Sequence, residues 1–466
     1  MRRAGGTAPA ISPVMAELAA YIARAARRAL PKPVVEATKH HVLDTLAAMV
    51  SGARLLPGKT AIAYARSLGG SREATVAGSR LVTNAVNAAL ANGMLAHADE
   101  TDDSHAASLT HPGCGIVSAA LAMAERERRG GTALLRAVAL GYDVCARVSM
   151  ALRGEAFRAL GHSTHSMAPT FGAAAAGAAL AGMNARQVRH VLSYAAQQAS
   201  GLSCYTSDVD HIEKAFDFGG LPARNGVAAA TMVAAGCTAV EDVFSGERSF
   251  FAAFDESGRI GKAPDPGMLV RDLGTKHEIL HTNIKRWTVG SPVQAPLDSL
   301  QALVKQERIR ADDVEKLVVR VSTLGANTTD NRDMPDICMQ YLCAVMLIDG
   351  IVTFESAHDG SRMKDPTVAG MRRRIELIGD EELQKLLPER HGIVELTLKD
   401  GRRLRHHTCA VRGTVQNPMT RDDVDEKCFH LMAPTLGKRK ARALCDAVWS
   451  IERLGDARRL RPLLQA

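Results

Sequence analysis

Aromatic side chains are scarce, with 10 Phe, 6 Tyr and 2 Trp among 466 residues. A core without many rings must be filled by close approach of small side chains. Ala and Gly are abundant, so tightly packed helical layers are expected. No two cysteines have C-x-x-C spacing. The nine that exist (Cys114, Cys145, Cys204, Cys237, Cys338, Cys343, Cys409, Cys428 and Cys445) are scattered and odd in number. That excludes a regular disulfide framework and a zinc or iron–sulfur ligand pattern, and fits a reducing compartment. No uninterrupted apolar run reaches membrane-spanning length, so no membrane partner is expected. The Arg-rich, amphipathic start has no secretory core, because Glu17 and Arg24 interrupt it. It reads as a short tail and a first helix, and a cytoplasmic location is expected. Long basic blocks interleaved with aromatics are also missing, which makes nucleic acid a poor partner.

What is present is ordinary in bulk, with 46% hydrophobic and 23% charged residues. The net charge of +8 is spread along the chain and suits a small polycarboxylate. The length allows two domains. Helical periodicity runs through Pro33–Val50, Thr83–Ala98, Ile116–Arg129, Thr132–Ala151, Thr170–Ala181, Ala185–Ser200 and Pro222–Ala235, with Glu73–Ala77 as a short strand among them. The texture changes near Pro264–Pro266. Lys316–Ser322 alternates like a strand, and Gly392–Leu398 and Leu404–Val411 flank a hairpin turn at Asp400-Gly401. Helical patterns lie at Pro292–Gln306 and Pro335–Asp349. After Asn417-Pro418 the pattern is purely helical again. The expected fold is mainly α. A large all-helical domain spans 10–268, an inserted α+β domain spans 269–414, and the helices of 415–466 return to the first domain.

The segment His97–Pro112, HADETDDSHAASLTHP, is the densest run of titratable groups. If the preceding helix continues, His97, Glu100 and Ser104 share a face by i, i+3 and i+7 spacing. His111 would then emerge from a loop and fold back over the helix end. Three readings are open: a solvated helix end, a proton-transfer site, or a metal site without standard ligand spacing. Gly161-His162-Ser163-Thr164 precedes a small-residue helix and reads either as an anion site at a helix start or as simple capping. Lys214 precedes a Gly-rich bend and Lys285 opens the inserted segment. Each is a carboxylate binder or a solvated charge. Tyr341, on an apolar helix, is a site hydroxyl or a core residue.

Taken in order, HADETDDSHAASLTHP, GHST with FGAAAAGAALAGM, AAQQASGL, K-x4-GGLPARNGVAAATMVAAG, IKRW and QYLCAVMLIDG resemble the MmgE/PrpD family over most of the chain. That family includes 2-methylcitrate dehydratase, cis-aconitate decarboxylase and iminodisuccinate epimerase. The resemblance implies a large helical domain with a smaller α+β lid, a homodimer, and no metal or organic cofactor. It implies catalytic roles for His111, His162, Glu100, Lys214 and Tyr341. Ser104, Lys285, Asp103, Ser163 and Thr164 would bind substrate.

The sequence departs from the family at Glu100 and Ser104, where Asp and Thr are commoner. In the lid, Trp287–Gln294 lacks the Cys and His that many members carry after the lysine. The chemistry implied is proton transfer α to a carboxylate. A metal-independent hydro-lyase on a citrate-like hydroxy-polycarboxylate comes first. An epimerase, isomerase or decarboxylase on a related acid comes second, and an inactive carboxylate-binding homodimer third.

Overall fold

The computed structural model describes residues 11–466. The N-terminal tail through residue 10, where the first expected domain begins, lies outside the described residues. Helices dominate. The expected periodic segments appear as Pro13–Ala25, Lys32–Gly52, Ala85–Ala96, Pro112–Arg126, Gly131–Ala151, Thr164–Leu180, Ala185–Gln198 and Leu221–Ala234. The Thr164–Leu180 helix starts six residues before the expected Thr170, and every residue in it is buried. A helix apolar on all sides must lie inside. Its Ala and Gly residues let the Gly131–Ala151, Pro112–Arg126 and Leu221–Ala234 helices pack around it.

Leu56–Leu68 is a further helix. Its Pro57-Gly58 start reads locally as a turn, yet Pro at a first helical position is favourable. Among the described residues no helix is long and apolar enough to cross a membrane.

Two hydrophobic cores form. The first gathers apolar residues from Met15 to Ile284 and again from Met419 to Leu464. The second runs from Trp287 to Leu398. The change of core therefore falls at Ile284–Trp287 rather than at residue 269. The intervening segment stays with the helices because Glu278 N donates to buried Asp143 Oδ1 at 2.6 Å. In addition, strand β4 (Thr282–Asn283) pairs antiparallel with β3 (Ser104–His105).

The second core is built on a four-stranded sheet of order β6-β5-β7-β8. Its strands are β5 (Val314–Ser322), β6 (Ile375–Asp380), β7 (Gly392–Leu398) and β8 (Arg403–Thr408). β7 and β8 form the expected hairpin around Gly401, which sits at φ +89. β6 pairs parallel to β5 and is not announced by the sequence. Its short IELIGD run lacks a hairpin turn, because a parallel neighbour is reached by a crossover. A separate small ladder, β1 (Ala74–Thr75) with β2 (Val82–Thr83), caps the helical part. The Ser291–Glu307 and Met339–Asp349 helices pack with the four-stranded sheet.

Candidate active site

The Ala85–Ala96 helix stops before the acidic segment, and His97 takes a non-helical φ of −116 and ψ of 35. The expected continuous helical face of His97, Glu100 and Ser104 does not form. Asp99 accepts from Thr101 N at 3.0 Å and Thr101 Oγ1 at 2.6 Å. Such local turns compete with helical hydrogen bonds and end the helix. Residues 97–111 become a loop, and His111 does fold back, its ring centroid 5.1 Å from that of His97.

This loop has two sides. On one, Asp103 is fully enclosed and fully partnered. It accepts from His41 Nδ1 at 2.7 Å, Tyr142 Oη at 2.5 Å and Gly113 N at 2.9 Å. Lys427 braces the same loop through Thr101 O at 3.3 Å while pairing with Asp44 at 2.6 Å. These contacts use the Lys32–Gly52 helix and the returning Arg421–Leu436 helix as struts.

On the other side lie Glu100 and Asp102. Lys214 donates to Glu100 Oε1. Lys285 Nζ donates to Glu100 O at 2.8 Å and lies 3.5 Å from Glu100 Oε2 and 3.8 Å from Asp102 Oδ1. The β3–β4 ladder explains this reach. Asn283 is registered opposite Ser104, which carries Lys285 back over the acidic loop. Lys214 is placed by a different device. After it, Phe216–Gly220 forms one π-helical turn, a feature frequent at functional sites. There Gly219 touches the preceding helix so closely that a Cβ on it would sit 2.0 Å from Gly93 O. No other residue type fits that approach.

Asp102 Oδ1 accepts from both His97 Nδ1 and His111 Nδ1, each at 3.0 Å. With Nδ1 donating to Asp102, Nε2 is the ring atom that each imidazole turns away from that carboxylate. Two further imidazoles extend the group. His165 stacks on Phe218 at 3.8 Å and meets His111 at 5.3 Å. His211 meets His97 at 5.3 Å.

The charges follow from these surroundings. Burial alone would raise Glu100, but Lys214 and Lys285 outweigh it and hold the carboxyl well below its usual range. Burial likewise opposes ionisation of Asp102, and His97 and His111 overcome it. Burial holds His111 below its ordinary value against the pull of Asp102, and holds His165 and His211 well below theirs. The result is two ionised carboxylates, the lysines Lys214 and Lys285, and the imidazoles of His111, His165 and His211 held toward their neutral form, all in one enclosed space. Such a set binds anions and accepts protons.

The remaining expected residues are placed differently. His162 stacks on Phe157 at 4.3 Å and abuts Phe254 at 5.7 Å. Among the described residues no hydrogen bond, ion pair or ring contact joins it to the cluster. The helix start that would have aimed it inward begins at Thr164, and His165, on the first turn, reaches His111 instead. Ser163 Oγ donates to Asp217 Oδ2 and Thr164 Oγ1 to Leu109 O at 2.6 Å, so both hydroxyls are engaged locally. Ser104 serves through its backbone pairing.

Tyr341 is fully buried in the second core, where its hydroxyl donates to Ser356 O at 2.6 Å. It thereby fixes the turn bearing His358, whose Nε2 lies 2.9 Å from Asp99 Oδ2. Burial opposes protonation of His358, but Asp99 raises its pKa to about 9. Asp336 is buried nearby, and burial pushes its carboxyl up to about 6 against the pull of His358. Sequence reasoning misses His358 and Asp336 because they lie more than 200 residues from the acidic loop with no local signature. His211 carried one usable signal, its position three residues before Lys214.

Ligand-type atoms of His97, Glu100 and His211 lie within 4.8 Å of one another, as do those of His97, Asp102 and Cys114. Lysines already stand at the carboxylates of both sets, Lys214 on Glu100 and Lys285 3.8 Å from Asp102, and a cation there would have to compete with them. A third group, His391, His407 and Cys409, lies on the β7–β8 hairpin.

Fold and site together define the class as a mainly helical enzyme with carboxylates, imidazoles and lysines gathered in one enclosed space. Residues 16–261 match the MmgE/PrpD N-terminal domain and residues 287–452 the MmgE/PrpD C-terminal domain. The chain belongs to the MmgE/PrpD family. It is 24% identical to cis-aconitate decarboxylase of Aspergillus terreus, over 100% of this chain and 98% of that protein. Identity to the Homo sapiens cis-aconitate decarboxylase is 24%, over 93% of this chain and 90% of that protein. Identity to the cis-aconitate decarboxylase-like protein oryM of Aspergillus oryzae is 22%, over 97% of each.

Proposed function

We propose that this protein is a lyase acting on a tricarboxylate through a carbanion next to a carboxylate. The observation that carries the reading is the joint placement of Lys214 and Lys285 on Glu100, beside the Asp102-linked rings of His97 and His111. A carbanion conjugated with a carboxylate is an enolate-like polyanion. Fixed positive charge in a dry pocket stabilises it more than the ground-state acid. Lys214 and Lys285 supply that charge and hold the substrate carboxylates, displacing in part their contacts with Glu100. Neutral His111 takes the proton from carbon where the reaction removes one, with Asp102 fixing its tautomer. The residues needed for this reading are all side chains, so no metal or organic cofactor enters it.

Loss of carbon dioxide is favoured by the full-length likeness to cis-aconitate decarboxylases. Loss of water from a hydroxy-acid is the second lyase outcome. It passes through the same carbanion, and a substrate anion that charged the otherwise neutral His165 beside His111 would make that ring a source of acid for the leaving hydroxyl. The second core, carrying Trp287, Tyr341 and His358, acts in this reading as a lid over the acidic loop. The homodimer and the cytoplasmic location belong to the same proposal.

The test is an NMR screen in deuterated water with cis-aconitate, citrate, 2-methylcitrate, tartrates and imino- or hydroxy-succinates. Release of carbon dioxide or formation of a new alkene from a tricarboxylate is expected. Deuterium exchange without net conversion would replace the lyase reading by an epimerase. No reaction across the panel would reject an acid–base enzyme for these acids.

A further inference from the structure

His211 has a backbone in the left-handed region, φ +59 and ψ 13. A side chain with a Cβ pays about 1 kcal/mol or more for that conformation. Its ring is only 5% exposed, and neither nitrogen has a hydrogen-bond partner. Each buried polar group left unsatisfied costs about 1–3 kcal/mol. Strain and unmet hydrogen bonding at one residue point to what it does when the pocket is filled.

Its surroundings say what that is. His165, His111, His97 and His211 form a row with ring centroids 5.3, 5.1 and 5.3 Å apart. The two middle rings have Asp102 behind them, whereas His211 has no carboxylate hydrogen-bonded to it. A ligand atom of His211 lies within 4.8 Å of the Glu100 carboxylate, the group that Lys214 and Lys285 hold. Two unpartnered imidazole nitrogens beside two ammonium groups make a complete receptor for one carboxylate and one proton.

We infer that His211 contacts the bound polycarboxylate and is a second proton-transfer residue, at the end of the row opposite His165. The inference rests on the acid–base reading above. In the free site burial holds the ring neutral, helped by Lys214 on its own segment and by His97. Glu100 and Asp102 on the facing loop pull the other way. An arriving polyanion adds to that pull, so His211 takes a proton from solvent as substrate binds. During decarboxylation the bond from carbon to the departing carboxylate breaks, and carbon dioxide leaves. The electron pair stays on carbon, the N–H bond of His211 breaks as the C–H bond forms, and neutral His211 regains a proton from water. One proton is consumed for each carbon dioxide released.

The experiment compares wild type with His211→Gly and His211→Asn. Both replacements accept a left-handed backbone, and Gly also leaves a ring-sized gap. On the acid that wild type converts, kcat should fall about 100-fold or more in both variants. Added imidazole should restore turnover in His211→Gly, and thermal stability should be equal to or above that of wild type. Turnover within about 3-fold of wild type, or a loss that imidazole does not rescue, overturns the inference. Binding of tricarballylate, which has no group to eliminate, is measured by calorimetry on the same proteins. About tenfold weaker binding to His211→Gly is expected, and equal binding overturns the contact with the anion. A wild type that binds tricarballylate but converts no acid in the screen rejects the lyase reading and leaves this binding result standing.

Discussion

Asp103 and Glu100 lie three residues apart in one loop, both buried, and their partners could hardly differ more. Asp103 is closed off by His41, Tyr142 and the Gly113 amide, all on packed helices. Glu100 is held by the ends of two long lysine side chains that come from separate segments. A carboxylate surrounded by fixed donors has no capacity left for a ligand, and its energy goes into holding the loop. A carboxylate held by ammonium groups can exchange them for another anion. Under the proposed function, the contrast separates the part of the loop that sets position from the part that would meet substrate, a distinction that composition alone does not reveal.

The largest effect should come from Lys214→Met. Turnover on the converted acid should fall about 1000-fold, and urea unfolding should show a loss of about 3 kcal/mol, because buried Glu100 loses its hydrogen-bonded ammonium and keeps only Lys285, 3.5 Å away. Adding Glu100→Gln should recover the stability and leave turnover low. Recovery of both would place the pair on the anchoring side of the loop.

Asp103→Ala should act in the opposite sense. A stability loss of about 3–5 kcal/mol is expected from three stranded donors, with turnover per folded molecule within a few-fold of wild type. If folded Asp103→Ala is inactive, the division between the two carboxylates is wrong.

A third effect depends on pH. His358 has its pKa raised to about 9 by Asp99, against an ordinary 6.5. Its contribution to stability is therefore full below about pH 6.5 and is lost as pH rises through about 9, and it amounts to about 3 kcal/mol. Urea unfolding at pH 6 and pH 10 should differ by that much more in wild type than in His358→Gln. An equal difference in the two proteins would show that this contact does not hold the second core to the loop. The smallest effect is expected for His162→Ala. Loss of the ring stack on Phe157 should cost about 1 kcal/mol and leave turnover within about 3-fold. A loss of 100-fold would return His162 to the site.

Much of this was legible in the sequence for physical reasons that can be named. Helical periodicity located the layers because small side chains repeat on buried faces, and Asp400-Gly401 marked its hairpin because few residues tolerate that turn. The acidic segment, His111, Glu100, Lys214 and Lys285 come together as their pattern suggests. The failures have a common cause. A run of histidines does not say which ring faces inward: His162 and His165 lie three residues apart, and only the helix start at Thr164 turns His165 toward His111. Tyr341 and Asp103 carry polar groups that are satisfied by backbone and helix partners, and only the packed structure shows those partners. His358 meets its partner across a sequence separation that no local pattern encodes.

The loop's dependence on remote lysines has a temporal side. Lys285 reaches Glu100 across 185 positions, and Lys427 reaches Thr101 across 326. Contacts so distant in the chain close late, after local helices have formed. During synthesis the Glu100 carboxylate would emerge before Lys214 and Lys285, and the Thr101 carbonyl would wait for Lys427. The chain would thus gather most of its helices before the acidic loop has all of its lysines, and assembly of the pocket should lag behind helix formation.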